Sequence, residues 1–459
     1  MRRRQTKWAA VNRVIESRPT SSAAVAPLAR DAAADWYWGF WSVIAAFGAY
    51  FCMYAFRKPF TAIGDDEQVV AWGLTFKVLL VISQTLGYML SKFIGIKVIS
   101  EMPRERRAIG ILVLIGVAEL ALVGFGLAPR PWSALCLFFN GLPLGMVFGL
   151  VLGFLEGRRA TEALAAGLCT SFILADGVTT SVGKWLLGQG VSIAWMPAAA
   201  GLLFVAPLLL FVWMLARVPP PTAADVVERA ERSTLTREER WRLYGRYWFG
   251  LTAIVTIYLL ISILRSVRSD FKTEVWSGLA YEVNATTFFY SEMWVALGVT
   301  AASGSLVLIR NSRWAFFASL GVCAAGLALL MAALAARQSG TLGAFNFMVL
   351  IGLGLYLPYV AIHTTVFERF LAMTREKGNL GFLMYVADAI GYLGVVIVVV
   401  GKNFVHVDKT SLESSFLSFF LTLCWIAAAL SALCLLASWL YFAVRCAPGK
   451  VVAPTEATT

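Results

Sequence analysis

The charged stretch PPPTAADVVERAERSTLTREERWRLYGR (219–246) divides an otherwise apolar chain of 459 residues into two parts. Each part holds six hydrophobic runs, and a helix of about 20 apolar residues crosses a bilayer. The predicted spans are 36–60, 72–95, 107–128, 132–156, 162–187 and 191–216, then 247–269, 286–309, 314–336, 343–367, 379–401 and 415–443. The sequence therefore predicts an all-α membrane protein with about twelve transmembrane helices.

The composition supports a membrane protein and argues against a soluble one. Hydrophobic residues make up 59% of the chain and charged residues 14%, whereas an ordinary soluble domain is roughly 25% charged. The net charge of +12 could also indicate nucleic acid binding. The basic residues, however, cluster in short loops between apolar runs, as they do on the cytoplasmic side of membrane proteins. We therefore expect the lipid bilayer as a partner, and no nucleic acid.

The loop charges predict the orientation and the domains. With the N-terminus inside, the inner segments include the basic runs at 2–4, 103–107 and 157–159 and the arginines of 217–246, whereas an outer loop reads GDDEQ (64–68). This pattern predicts a multi-pass protein of the cytoplasmic (inner) membrane with both termini in the cytoplasm. The predicted domains of this monomer are a basic arm (1–35), a six-helix bundle (36–216), a linker (217–246), a second six-helix bundle (247–443) and a tail (444–459).

Acidic residues repeat between the two parts. Glu156 and Asp176 are 20 residues apart, as are Glu368 and Asp388, and the two pairs are offset by 212 residues. Parallel repeats related by an axis along the membrane normal are the architecture of major facilitator transporters. The fold predicted is thus two six-helix pseudo-repeats of that type.

A second repeat concerns the end of the first span. RKPF (57–60) is echoed by RSDF (268–271) at an offset of 211. Tyr50, Tyr54 and Arg57 share one helical face by their spacing, and hydroxyls beside a guanidinium can hold an oxyanion. The alternative is an interfacial aromatic belt with a snorkelling arginine.

Charged side chains within the spans are the main functional candidates, because charge inside a bilayer is costly. They are Arg57, Lys92, Asp176, Arg265, Arg268 and Asp388. The two aspartates are either proton carriers or counter-ions of Arg57 and a seventh-span arginine, and the counter-ion role is favoured because an unpaired buried charge is costly.

Four glutamates and one histidine receive structural roles. Glu119 and Glu292 are expected to pair with residues of neighbouring helices, and Glu156 and Glu368 to form gating salt bridges at the inner ends of the fourth and tenth spans. His363 is interpreted as a packed core residue. Since metal-ligand spacings, phosphate loops and nucleophile elbows are absent, we expect no metal, no cofactor, no catalytic residue and no enzyme.

Four short strings resemble those of the organophosphate:phosphate antiporters, the glycerol-3-phosphate and hexose-phosphate transporters. They are AYFCMYAFRKPF (49–60), GYMLSKFIG (87–95), ILRSVRSDF (263–271) and GYLG (391–394). The resemblance implies a major facilitator transporter with the family's lysine at Lys92 and its seventh-helix arginine at Arg265. Ala175-Asp176-Gly177 stands where the family has Ala-His-Asn, so the substrate class expected is the broader one of small organic anions.

The predicted function is therefore secondary active transport of a small organic anion, phosphorylated or not, by alternating access. The alternatives are a proton-coupled symporter of a neutral or cationic solute and a non-transporting membrane sensor with a transporter fold. The predicted substrate-binding residues are Tyr50, Tyr54, Arg57, Lys92, Arg265 and Arg268, with the choice between the last two left open.

Overall fold

The computed structural model describes residues 32–65, 69–155, 161–220, 237–374, 381–404 and 412–446. The chain divides into two compact units at Gly39. Of the first unit, only the opening residues of one helix are described. The second unit begins at Phe40 and contains the contacts that build the site.

Helices account for nearly all of the described residues. The first half contains α1 (Ala32–Tyr54), α2 (Phe76–Glu101), α3 (Arg104–Leu127), α4 (Ser133–Leu155), α5 (Thr161–Gly188), α6 (Met196–Leu203) and α7 (Val205–Ala216). The second half contains α8 (Arg237–Asp270), α9 (Lys272–Gly278), α10 (Thr287–Val307), α11 (Ser312–Gln338), α12 (Ala344–Ala361), α13 (Phe367–Thr374), α14 (Gly381–Phe404) and α15 (Leu412–Arg445).

The lengths and apolar character of these helices fit a membrane. Within the described residues, seven spans are long and apolar enough to cross a bilayer, or eight if α6 and α7, bent by 45° at Phe204, are one span. One of the seven runs from Ala344 to Thr374, through a π-helical turn at Ile362–Val366. The protein is therefore an all-α membrane protein, as predicted.

The first helix ends earlier than predicted. It stops at Tyr54 rather than near residue 60, and the chain continues through a turn into the short 3₁₀ helix Pro59–Ala62. Pro59 lacks the N–H that a helix needs, and in a continued helix its ring would clash with the carbonyl four residues earlier, that of Ala55. Arg57 and Lys58 therefore lie in a turn and not on the regular face of α1.

A small hairpin that the sequence analysis missed precedes α2. Strands β1 (Val69–Ala71) and β2 (Leu74–Thr75) pair antiparallel around Trp72 and Gly73, both of which have positive φ angles. Positive φ at both central residues is typical of a type I′ hairpin turn. The predicted span 72–95 therefore starts at Phe76, where the Thr75 side chain caps the helix.

The seventh predicted span begins within a longer helix. Although α8 starts at Arg237, its backbone leaves helical geometry at Tyr247, with φ −122° and ψ 19°. The predicted start at 247 thus corresponds to this kink. Residues 221–236 of the predicted linker lie outside the described residues.

The glycine-rich stretch 141–153 packs closely, as expected of small residues between membrane helices. A side chain on Gly141 would collide with the carbonyl of Gln84 on α2, and one on Gly145 would collide with Ser91. These glycines let α2 and α4 approach each other backbone to backbone. That approach also brings Asn140 to the end of α1.

Candidate functional site

A polar cavity lies among α1, α2, α5, α8, α12 and α14. It adjoins a second cavity, with which it shares part of its lining. Both cavities are lined by Tyr54, Arg57, Phe172, Arg265 and Tyr392. Side chains from both halves of the chain therefore meet around one space.

The guanidinium of Arg57 faces this space. Its Cζ lies 3.9 Å from the ring centroid of Tyr88 and 5.7 Å from that of Tyr54. A cation over an aromatic face is stabilised by the ring quadrupole. The Nε atom is buried without a hydrogen-bond partner. Aromatic rings therefore hold the guanidinium, and its Nε–H donor is free to bind a ligand.

Two buried amides hold the turn that carries Arg57. Asn140 donates from Nδ2 to the carbonyls of Phe56 and Ala118, at 2.9 and 3.0 Å. Gln84 donates from Nε2 to the carbonyl of Arg57 and to Asn140 Oδ1, both at 2.9 Å. These bonds satisfy carbonyls that the early end of α1 leaves free. Sequence reasoning missed both residues, although an amide within an apolar span is itself a signal.

Replacing Asn140 with leucine should displace Arg57. The change removes the donor to two buried carbonyls, each costing about 1–3 kcal/mol when left unsatisfied. We expect a lower unfolding temperature. Asn140→Asp, which keeps the size but not the donor, should behave alike, whereas an Asn140→Leu variant that unfolds like the wild type would show that the turn is held elsewhere. Thermal unfolding of the purified protein measures the effect.

Arg265 faces the cavity from the other half. Its Cζ lies 4.4 Å from the ring centroid of Tyr359, 5.7 Å from that of Phe172 and 5.8 Å from that of Tyr356. Its Nε is also buried without a hydrogen-bond partner. Within the described part of the chain, neither Arg265 nor Arg57 forms a salt bridge.

Arg268, the other candidate of the seventh span, points away from both cavities. Its Nη2 lies 2.9 Å from Glu292 Oε1 on α10 and donates to the Met348 carbonyl at 3.0 Å. The side chain is 1% exposed and does not line either cavity. The pairing of Glu292 with a neighbouring helix agrees with the expectation. Glu119 contradicts it, since both of its carboxylate oxygens are buried without a hydrogen-bond partner among the described residues.

Asp176 is paired with lysines. The counter-ion hypothesis had paired it with Arg57. Its Oδ2 lies 2.5 Å from Lys272 Nζ, and Ser269 donates to both carboxylate oxygens at 3.1 Å. Lys58 Nζ lies 3.9 Å from Oδ1. The arginine was the wrong partner because the early end of α1 turns Lys58, not Arg57, toward Asp176.

Asp388 is also paired with a lysine rather than an arginine. Lys92 Nζ lies 3.6 Å from its Oδ2, and the Tyr258 hydroxyl donates to its Oδ1 at 2.6 Å. His363, interpreted as a core residue, lines the second cavity instead and lies 3.3 Å from the Tyr258 oxygen through its Nδ1. Together these side chains form a polar chain across α2, α14, α8 and the π-helical turn.

Three predicted residues remain, namely Tyr50, Glu368 and Glu156. Tyr50 is buried, lines the second cavity and packs edge-on against Tyr54 at a centroid distance of 5.5 Å. Glu368 is half-buried at the start of α13. Glu156 lies outside the described residues.

Ion pairs join the two halves at the end of the bundle where α1 stops. Lys58 pairs with Asp270 and also donates to Ser269 Oγ at 2.7 Å. Lys77 lies 3.7 Å from Glu274. Together with the pair between Lys272 and Asp176, these contacts tie α2, α5 and the turn after α1 to the end of α8 and to α9.

Contacts across this junction join residues that are 212 positions apart. Lys58 pairs with Asp270, and Thr273 donates to the carbonyl of Thr61 at 2.9 Å. This separation is the same as the offset between the repeated acid pairs of the sequence.

Among these buried charged groups, two cations have no carboxylate partner. Five carboxylates are matched in number by their five basic partners, Lys58, Lys77, Lys92, Arg268 and Lys272; the carboxylates are those of Asp176, Asp270, Glu274, Glu292 and Asp388. Of the described basic residues that line the cavities, Arg57 and Arg265 remain without a carboxylate. This set of buried groups thus carries an excess of two positive charges, and both unpaired cations line the cavities.

Comparison with known proteins identifies the family and the fold. The family model described as "Family of unknown function (DUF5690)" matches residues 59–445. The chain belongs to this family. No curated protein shows significant sequence similarity to the chain.

Comparison with solved structures identifies the fold of this DUF5690 protein. A D-xylose–proton symporter is similar with a TM-score of 0.57 at 12% sequence identity, over 87% of this chain and 97% of that one. The protein therefore has a major-facilitator-like fold, as the sequence predicted. This similarity supports the fold and does not by itself support the organophosphate:phosphate antiporter branch that the short strings resemble.

Proposed function

We propose that this DUF5690 protein is a secondary transporter that carries a small organic dianion across the membrane by alternating access. The observation that supports it is the pair of guanidinium groups, Arg57 and Arg265, that face one cavity without a carboxylate. The fold supports transport, and the charge excess supports an anion.

The physical argument concerns what neutralises these charges. A buried charge without a partner is strongly unfavourable, so a site with two of them is stable only if water or a ligand compensates. Guanidinium forks bind carboxylate, phosphate and sulfonate oxygens through paired, charge-assisted hydrogen bonds. A dianion matches both the number and the geometry of the free donors.

The location of the two arginines fits alternating access. Arg57 belongs to the first half and Arg265 to the second, so an anion between them would contact both. The ion pairs where α1 stops hold the halves together at one end of the bundle. In transporters built from repeats, rocking of one half against the other moves access from one side to the other.

The remaining expectations are part of the proposal. The protein would lie in the cytoplasmic membrane as a monomer, with both termini and the linker 217–246 inside. The six-helix bundles would be 36–216 and 247–443. A phosphorylated substrate, suggested by the antiporter resemblance, is one of the dianions that the site could hold.

Symport of a neutral sugar with a proton is the second candidate, because the similar solved structure is a D-xylose–proton symporter. Thermal unfolding of the purified protein separates the two. At constant ionic strength, sulfate, inorganic phosphate, glycerol 3-phosphate and succinate are compared with D-xylose. We expect dianions to stabilise the protein, by about 2.7 kcal/mol at a hundred times the dissociation constant. Stabilisation by D-xylose alone would favour the second candidate.

Arg57→Lys tests whether the guanidinium fork matters. The variant keeps the charge and loses the paired donors, so affinity for the stabilising anion should fall by more than about tenfold, or 1.4 kcal/mol. Arg310→Lys, on the exposed residue before α11, is the control and should bind normally. Counterflow of the labelled anion in liposomes then tests transport, since a sensor would bind the anion without carrying it.

A further inference from the structure

We infer that Asp388 and Lys92 form an exchangeable ion pair that couples the transported anion to a proton: the anion takes Lys92 from Asp388, and Asp388 then accepts a proton. This inference rests on the proposed function and names its coupling ion. The proton comes from water and forms an O–H bond on the carboxylate.

The pair is open to exchange by its geometry. Lys92 and Asp388 come from opposite halves, and the 3.6 Å between Nζ and Oδ2 is longer than a normal hydrogen bond. Asp388 is half-buried and lines the second cavity together with Arg57 and Arg265. Within the described residues, it is the one carboxylate lining that cavity.

Its repeat equivalent Asp176 shows the contrasting case. That carboxylate is 1% exposed, lies 2.5 Å from Lys272 Nζ and accepts hydrogen bonds from Ser269. An anion in the cavity would have to break all of these bonds to separate Asp176 from Lys272. Asp176 is therefore a structural counter-ion, whereas Asp388 is the exchangeable one.

The other face of Asp388 offers a route for the proton. The Tyr258 hydroxyl donates to Oδ1 at 2.6 Å and lies 3.3 Å from His363 Nδ1, so it can pass a proton from the imidazole to the carboxylate. The imidazole ring stacks on Tyr359 with a centroid distance of 5.7 Å. His363 itself lines the cavity, where water can reach it.

The charges around Asp388 determine the direction of the coupling. The titratable and charged groups facing it are Arg57, Tyr88, Lys92, Cys169, Tyr258, Arg265, Tyr359, His363 and Tyr392. Three of these, Arg57, Lys92 and Arg265, are cations, and they outnumber the single carboxylate while the cavity is empty. A bound dianion that contacts Lys92 takes this cation away from Asp388, and the negative charge of the dianion repels the carboxylate. Binding of anion and proton must then strengthen each other by the same factor.

Sulfate is the probe for this coupling, because it is a dianion that holds no proton near neutral pH. The purified protein in weakly buffered detergent solution, with a soluble pH dye, should take up about one proton for each sulfate bound. Because one proton accompanies each anion, the sulfate dissociation constant should rise with pH, by up to about tenfold per pH unit.

Two variants and a control separate coupling from structure. Asp388→Asn keeps the acceptor for Tyr258 and should bind sulfate with no proton uptake and no pH dependence. Lys92→Gln removes the exchanged cation and should also abolish proton uptake, with weaker sulfate binding. Glu282→Gln makes the matching change at an exposed carboxylate after α9 and should behave as the wild type.

Each result bears on a different proposal. Sulfate that stabilises the wild type without proton uptake overturns the coupling and leaves anion transport standing. Proton uptake that persists in Asp388→Asn also overturns it. Sulfate that neither stabilises the protein nor shifts the pH overturns the proposed function, and the coupling with it.

Discussion

Reversing the charge of Lys58 should leave little folded protein, and reversing Asp270 in the same chain should restore it. Lys58 is 4% exposed and pairs with Asp270, with Asp176 Oδ1 at 3.9 Å. An aspartate at position 58 would gather three carboxylates around Lys272. Losing one partner of a buried pair costs about 3–5 kcal/mol, and total stability is often only about 5–15 kcal/mol.

The double variant Lys58→Asp with Asp270→Lys rebuilds the pair with its charges exchanged. We expect it to regain more than half of the lost thermal stability, since the contact between Lys58 and Asp176 is not rebuilt. Arg310→Asp reverses an exposed charge and should shift stability by less than about 0.5 kcal/mol. Unfolding temperatures in detergent, read by size-exclusion chromatography after heating, give the comparison. A single reversal that melts like the wild type would show that this junction does not hold the halves together.

Comparing the two halves of the chain by sequence finds identical residues but misses contacts between unlike ones. Matching identical residues pairs Arg57 with Arg268 and gives an offset of 211. In the structure Lys58 pairs with Asp270, 212 residues away, which is the offset of the repeated acid pairs. The two residues have opposite charges, so a search for identical residues does not find this contact.

The helices were predictable because long apolar runs are a strong signal. The end of α1 was also within reach, since Pro59 terminates a helix by its own chemistry. The hairpin before α2 was not, because its strands are only three and two residues long. The partners of the aspartates depended on that turn, so an error of a few residues in α1 moved the predicted pairing from lysine to arginine.

The choice between Arg265 and Arg268 lay beyond the sequence for a different reason. Residues three apart lie on nearly the same side of a helix, so periodicity does not separate them. What separates them is Glu292, which approaches Arg268 from α10 and which only the tertiary packing brings there. The two arginines therefore differ in role while remaining neighbours in sequence.

Replacing each of these arginines with glutamine should produce opposite effects. Arg265→Gln removes a cation that has no carboxylate partner, so the empty protein should unfold at the same temperature or higher. Its sulfate affinity should fall by at least about thirtyfold, which corresponds to the roughly 2 kcal/mol lower bound for truncating one partner of a buried charged contact.

Arg268→Gln should do the reverse, because it leaves Glu292 buried without its cation at a cost of about 3–5 kcal/mol. The folded fraction should bind sulfate within about threefold of the wild type, since the side chain does not line the cavities. Adding Glu292→Gln removes the stranded charge and should recover part of the stability without changing the affinity. Thermal unfolding with and without sulfate measures both quantities on all of these variants. If both single variants lost sulfate affinity alike, Arg268 would reach the anion during transport, and its ion pair with Glu292 would have to open in the bound state.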